Sequence, residues 1–167
     1  MGYTTDFVGE VKFKKELTAT QLSYLKGFLG RDVREIDMDG NEIKDACTYS
    51  GKEHPDSIHC VYSDRDYWYH IDLKFLDDFS GLTWDGSEKT YGLVEIINFL
   101  TDRMRTKWED FEFTGEMNAQ GEEVGDVWKL KMKDGKAVRI EFSMEGETTT
   151  CPHCKEEFIV NPILKEK

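Results

Sequence analysis

From Phe111 to Met144 the chain alternates apolar and polar residues in three successive runs, and this stretch constrains the fold more than any other. Phe111, Phe113 and Met117 share one parity, Trp128, Leu130 and Met132 a second, and Val138, Ile140, Phe142 and Met144 a third. A period of two puts each set on one face of a strand. Asp134-Gly135, between the last two runs, is the dipeptide of a tight hairpin turn. The runs predict an antiparallel meander. Residues 5–13 add a strand with Phe7, Val11 and Phe13 on one parity and Val8 on the other. Tyr67, Tyr69, Ile71, Leu73 and Phe75 alternate against Trp68, His70, Asp72 and Lys74 and predict another. Shorter strands are expected over 58–63 and at Leu82 and Trp84, the latter before an Asp85-Gly86 turn.

Two helices punctuate the strands. Thr18 is a capping residue, Gln21 stands three residues on as its capping-box partner, and Leu17 can staple against Leu22. Leu22, Leu25, Phe28 and Leu29 continue that face until Gly30 stops it. The second helix spans about Thr90 to Lys107, with Leu93, Ile96, Ile97, Leu100 and Met104 on one stripe. Between Arg31 and Ser57 the pattern weakens; Asp39-Gly40 reads as a tight turn and Gly51 to Ser57 as loop. The sum is an α+β fold: a mostly antiparallel sheet with two helices and a zinc-tied C-terminal tail. Residues 1–145 are expected to form one domain, and 146–167 a tail whose zinc knuckle packs back on it.

The tail is singled out by Cys151-Pro152-His153-Cys154. Zinc takes four tetrahedral ligands, and two cysteines two residues apart can bind it from one turn, which Pro152 helps to fix. The only other cysteines are Cys47 and Cys60, with twelve residues between them, so the four thiols suffice for one structural zinc site. His54, His59 and His153 are substitute ligands. The letters also match the redox centre of thioredoxin-like oxidants. That fold needs a long helix and further sheet after the motif, and the thirteen residues that follow, Pro162 among them, do not provide it. Two idle thiols in a tail are the plain alternative.

Thirty-four acids against 22 bases leave a net charge of −12, which disfavours nucleic acid and anionic membranes and favours basic surfaces. No run of apolar residues is long enough to span a bilayer, and the start lacks a signal-peptide layout, so a cytoplasmic protein is expected. Asp32, Glu35, Asp37, Asp39, Glu42 and Asp45 form an acidic belt, either solvated surface or a partner-facing patch. Glu122-Glu123 with Asp126 reads as a solvated hairpin loop and Asp77-Asp78 as a strand end. His70 is expected at the surface or half-buried, and Trp84, Trp108 and Trp128 in the core. There is no Gly-x-Ser-x-Gly elbow, phosphate-binding glycine loop or His-Glu-x-x-His, and basic residues do not cluster with aromatics. No catalytic residues and no organic cofactor are expected.

Two stretches carry a resemblance. One is Met1-Gly2-Tyr3-Thr4-Thr5-Asp6-Phe7 with Gly9 and Leu17-Thr18. The other is Trp84-Asp85-Gly86-Ser87-Glu88-Lys89, followed by Tyr91, the apolar helix, Gly115-Glu116 and Gln120-Gly121-Glu122. Together they resemble a family of small uncharacterised proteins of bacteria and their phages, over roughly half of the chain. Arg31 to Asp66 and the Cys-x-x-Cys tail depart from that pattern. The resemblance implies a phage or prophage accessory protein. With the acidic charge, it leads to the expectation of a non-enzymatic inhibitor, of the anti-CRISPR type, that occupies a basic surface on a host nucleic-acid-handling protein such as a CRISPR effector nuclease or a restriction enzyme. A zinc-dependent hydrolase or nuclease, and a housekeeping structural module, are the alternatives.

Overall fold

A seven-stranded antiparallel sheet carries the fold in the computed structural model, which describes residues 4–44, 54–62, 68–123 and 125–166. The strands are β1 (Thr5–Phe13), β2 (Leu73–Phe75), β3 (Gly81–Trp84), β4 (Phe113–Gly121), β5 (Val127–Lys133), β6 (Lys136–Thr150) and β7 (Glu157–Glu166). They lie in the order β2-β3-β1-β4-β5-β6-β7. Helices α1 (Ala19–Lys26), α2 (Ile58–Val61) and α3 (Leu93–Arg105) complete an α+β architecture with three described helices rather than two.

The period-two pattern becomes a one-sided core. Phe7, Val11 and Phe13 of β1 are buried while Val8 stays exposed. In the β1–β4 ladder Phe7 lies opposite Ala119 and Phe13 opposite Phe113; Met117 and Ala119 then pair with Leu130 and Trp128 of β5. All of these side chains are buried. Helix α3 covers them with Leu93, Ile96, Ile97, Phe99, Leu100 and Met104, each 2% exposed or less. Each such burial is worth roughly 1.5–3 kcal/mol, so this one face supplies a large share of the driving force for folding. Gly92 starts α3 in the left-handed region at φ 65, with Trp68 packed so closely that a Cβ there would stand 2.7 Å from the indole Cδ1. Trp128 lies in the core, and Trp84 and Trp108 are partly buried against it.

Thr18 and Gln21 form the expected capping box. The helix ends before Gly30, however: Gly27 and Phe28 donate to the carbonyls three residues back, so the last turn tightens.

The described parts of the segment without periodicity, 31–44 and 54–57, are tied by backbone pairing. Residues 45–53, where the loop expected from Gly51 to Ser57 begins, lie outside the described residues. The Ile58 amide donates to the Ile36 carbonyl at 3.0 Å, His59 to Val33 at 3.1 Å and Val33 to Tyr69 at 2.9 Å. Val33, Ile36 and Ile58 reach zero exposure there. The turn at Asp39-Gly40 is present, closed by Gly40 donating to Asp37. Residues 58–61 are helix α2, where a strand was expected, because the Ser57 hydroxyl accepts from the Cys60 amide and caps the turn.

The alternating run ending at Phe75 is not one strand. Ile71 donates to Arg31 and its carbonyl accepts from Gly30, whereas Leu73–Phe75 pairs with β3. At this change of partner Ile71, Asp72 and Leu73 are buried in succession, and upstream the parity is reversed: Trp68 is 1% exposed and Tyr69 44%. Tyr67 lies outside the described residues.

β6 belongs to two pairings. Lys136–Glu141 is laddered to β5, and Phe142–Thr150 to β7. The 145/146 boundary expected between domain and tail falls at a register shift between Glu145 and Glu147, inside this strand. The tail returns as β7 beside β6, forming a hairpin arm. Because Leu130 lies opposite Arg139 and Lys131 opposite Val138, the apolar parity of β6 turns to the other side of the sheet from Leu130. Val138, Ile140 and Phe142 are accordingly only half-buried, with the Lys129 ammonium 5.9 Å from the centre of the Phe142 ring.

Candidate functional site

The hairpin tip is built by two backbone hydrogen bonds. The Cys151 amide donates to the Glu156 carbonyl at 2.8 Å, and the Lys155 amide to the Cys151 carbonyl at 3.0 Å. Pro152, His153 and Cys154 form the turn between them, and Lys155 adopts φ 65, left-handed and uncommon for a residue with a Cβ. The Cys151 thiol is held below its ordinary pKa by the Cys154 amide first, then the His153 amide, and then the Cys154 side chain. Donors converging on one sulfur favour its thiolate, the form that binds a metal. Cys151 is half-exposed and Cys154 exposed, with its sulfur 3.8 Å from Glu156 Oε2. Two thiols on one turn, one of them favoured as thiolate, are donors of the kind zinc takes, two of the four that a tetrahedral site needs.

Cys60 lies on α2, at its exposed side, and Cys47 lies outside the described residues. Among the substitute ligands, His153 sits exposed in the knuckle, His59 stacks on Tyr69 with ring centroids 5.5 Å apart, and His54 Nδ1 is 3.8 Å from Asp56. Among the described residues, no three of His, Cys, Asp and Glu stand together as a metal-holding group. The structure therefore brings Cys151 and Cys154 together at one end of the molecule without gathering a third described ligand to them.

A second constellation was not legible from the sequence. Arg34, Tyr69, His70, Asp72, Lys89 and Tyr91 line a cleft of about 290 Å³. Asp32, read as part of an acidic belt, is buried behind it and holds Arg34 in a fork: Nη2 donates to Oδ2 at 2.6 Å and Nε to Oδ1 at 3.0 Å. Burial pushes the Asp32 carboxyl up, but the side-chain and backbone hydrogen bonds from Arg34 outweigh it and leave the pKa lowered. Arg34 sits 5.4 Å from the centre of the Tyr69 ring. His70 is exposed, as expected, with Nε2 3.6 Å from Asp32 Oδ2. The belt is broken elsewhere too, since Asp39 pairs with Arg103 and Lys107. Glu122 and Glu123 do stand exposed in the β4–β5 loop. The signal available in the sequence was Asp32-x-Arg34 with His70-x-Asp72, two weak patterns 38 residues apart.

Asp72 is the cleft's perturbed acid. Burial first, then the neighbouring Asp85 carboxylate, push its pKa up against hydrogen bonding from Thr90 and Ser87. A carboxyl whose pKa is higher in the folded than in the unfolded state keeps a proton that the unfolded chain has lost, so stability falls as pH rises above about 4. Asp72→Asn is therefore expected to raise the urea midpoint at about pH 7 and to leave it unchanged at about pH 3. Parent and variant curves that stay parallel across that range would show that ionisation is not the cause.

Among the described residues, no helix is long and apolar enough to cross a membrane. No family model, curated protein or solved structure matches this chain.

Proposed function

We propose that the protein works by binding rather than by catalysis. It is an acidic module whose hairpin arm carries a structural zinc knuckle at Cys151 and Cys154, and whose carboxylates meet a basic surface on a nucleic-acid-handling protein of a bacterial host. The phage-type resemblance favours a CRISPR effector nuclease or a restriction enzyme as that partner, and the cytoplasm as the setting. The observation that carries the reading is the distribution of charge. Basic side chains, among them Lys14, Lys15, Arg103, Lys107, Lys129 and Arg139, lean on carboxylates of the same chain. Acids outnumber bases by twelve, and Asp77, Glu109, Glu123 and Glu147 lie exposed. Exposed carboxylates imitate the charge of phosphates and compete for a channel lined with Lys and Arg.

The test is cleavage by purified CRISPR effector and restriction nucleases with and without the protein, together with its affinity for any nuclease it inhibits. The expected result is inhibition relieved by excess DNA, with affinity falling at least tenfold between about 50 and 200 mM salt. Affinity that ignores salt, or the absence of inhibition across the panel, would overturn the reading.

A further inference from the structure

We propose that the zinc at the hairpin tip is shared between two copies of this chain, each supplying Cys151 and Cys154, so that the metal joins two arms end to end. The inference rests on the zinc reading of the knuckle and adds where the other two ligands come from.

Coordination number is the starting point. A structural zinc takes four protein ligands, and one knuckle supplies two. A third ligand from the same chain is not gathered to the pair among the described residues. Access is the second point. The pair sits at the end of a hairpin rather than in a cleft, and Pro152, His153, Cys154, Lys155 and Glu156 are all exposed, so the approach of a bulky partner is open. The identical knuckle of a second copy is the simplest partner that completes the set, because a two-fold axis through the metal presents the same two thiolates from the opposite side.

Four thiolates around a divalent ion leave two negative charges. Each copy brings Lys155 and Glu156 to the knuckle turn, the Glu156 Oε2 3.8 Å from the Cys154 sulfur, so the added side chains cancel and the thiolate–metal bonds carry the assembly. Binding releases the thiol protons to solvent, so the assembly weakens as pH falls. No oxidant is involved, and the sulfurs stay reduced.

The experiment uses the full chain under a phosphine reductant, loaded with zinc sulfate, with metal content and mass in solution measured on the same sample. Expected are about 0.5 zinc per chain and twice the 19.4 kDa chain mass, returning to monomer with a chelator. Cys151→Ser and Cys154→Ser should each abolish the doubling while preserving the far-ultraviolet spectrum, and Cys47→Ser and Cys60→Ser should leave both metal and mass unchanged. One zinc per monomeric chain, lost on Cys47→Ser or Cys60→Ser, would overturn the sharing and keep the zinc. No zinc bound by the parent chain would overturn both.

Discussion

Replacing Phe99 by alanine is expected to lower the free energy of unfolding by about 3–5 kcal/mol. That is a large fraction of the ~5–15 kcal/mol by which a domain is stable. The size of the effect follows from position. Phe99 has zero exposure and lies on α3 where the aperiodic segment meets the helix. Its ring centroid is 5.9 Å from Phe28, 5.0 Å from Tyr62 and 5.6 Å from Trp68. These three partners come from different parts of the chain. Phe28 and Tyr62 are tied by backbone hydrogen bonds to Leu25 and Ile58, and Trp68 is packed on Gly92, so the void left by the ring closes only in part. Urea unfolding followed by circular dichroism reads the loss as a shifted midpoint at constant slope. A shift worth less than about 1 kcal/mol would show that Phe28, Tyr62 and Trp68 do not depend on α3 for their packing.

Gly9→Ala is expected to cost about 3 kcal/mol or more, although the position is exposed. Two effects add. The backbone of Gly9 is at φ 120, a conformation that L residues rarely adopt, and holding alanine there costs roughly 1–3 kcal/mol. A Cβ would also stand 2.7 Å from the Glu116 carbonyl oxygen and 3.1 Å from the Met117 Cα, so β1 has to move off β4. The nine-residue ladder from Thr5 opposite Gly121 to Phe13 opposite Phe113 runs through this point. Val8→Ala, one residue away and 71% exposed, serves as the control and is expected to stay within about 0.5 kcal/mol of the parent. If both variants unfold at the same urea concentration, the close approach at Gly9 is not rigid.

What the sequence made legible was what repeats over several turns or strand residues. The stripe on α3 and the alternation in β1, β4 and β5 each involve several apolar residues in register, and burial follows them. Four residues are too few for a period. At 58–61 the β-branched Ile58 and Val61 favoured a strand, and a single hydroxyl at Ser57 decided for a helix. The run to Phe75 has a clean period, but its two halves pair with different segments, and no local pattern encodes a change of partner. In β6 the alternation is real and its apolar side still faces away from Leu130, because the pairing with β5 fixes which parity shares the core face.

The two candidate sites differ for the same reason. Cys151 and Cys154 are separated by only two residues within one turn, so their meeting is dictated by covalent spacing. The Arg34–Asp32 fork, His70 and Asp72 meet only after Val33 and Tyr69 have paired, and that pairing is visible only in the folded chain.

The double membership of β6 bears on how two such acidic chains tolerate each other. Past Glu141 the strand is no longer laddered to β5, and among the described residues Phe142–Thr150 runs on with β7 as its ladder partner. At roughly 3.3 Å per residue those nine residues form a cantilever about 30 Å long. In the proposed zinc-joined pair, two such arms meeting tip to tip in line would set the two sheet bodies up to about 60 Å apart, many times the ~8 Å over which physiological salt screens a charge. At that spacing the repulsion between the two acidic bodies would be almost fully screened, leaving the charges of the arms themselves, Glu147, Glu156 and Glu157 against Lys155, to meet near the tips. Such a spacing would leave each acidic body of the proposed pair free to engage a basic surface of its own.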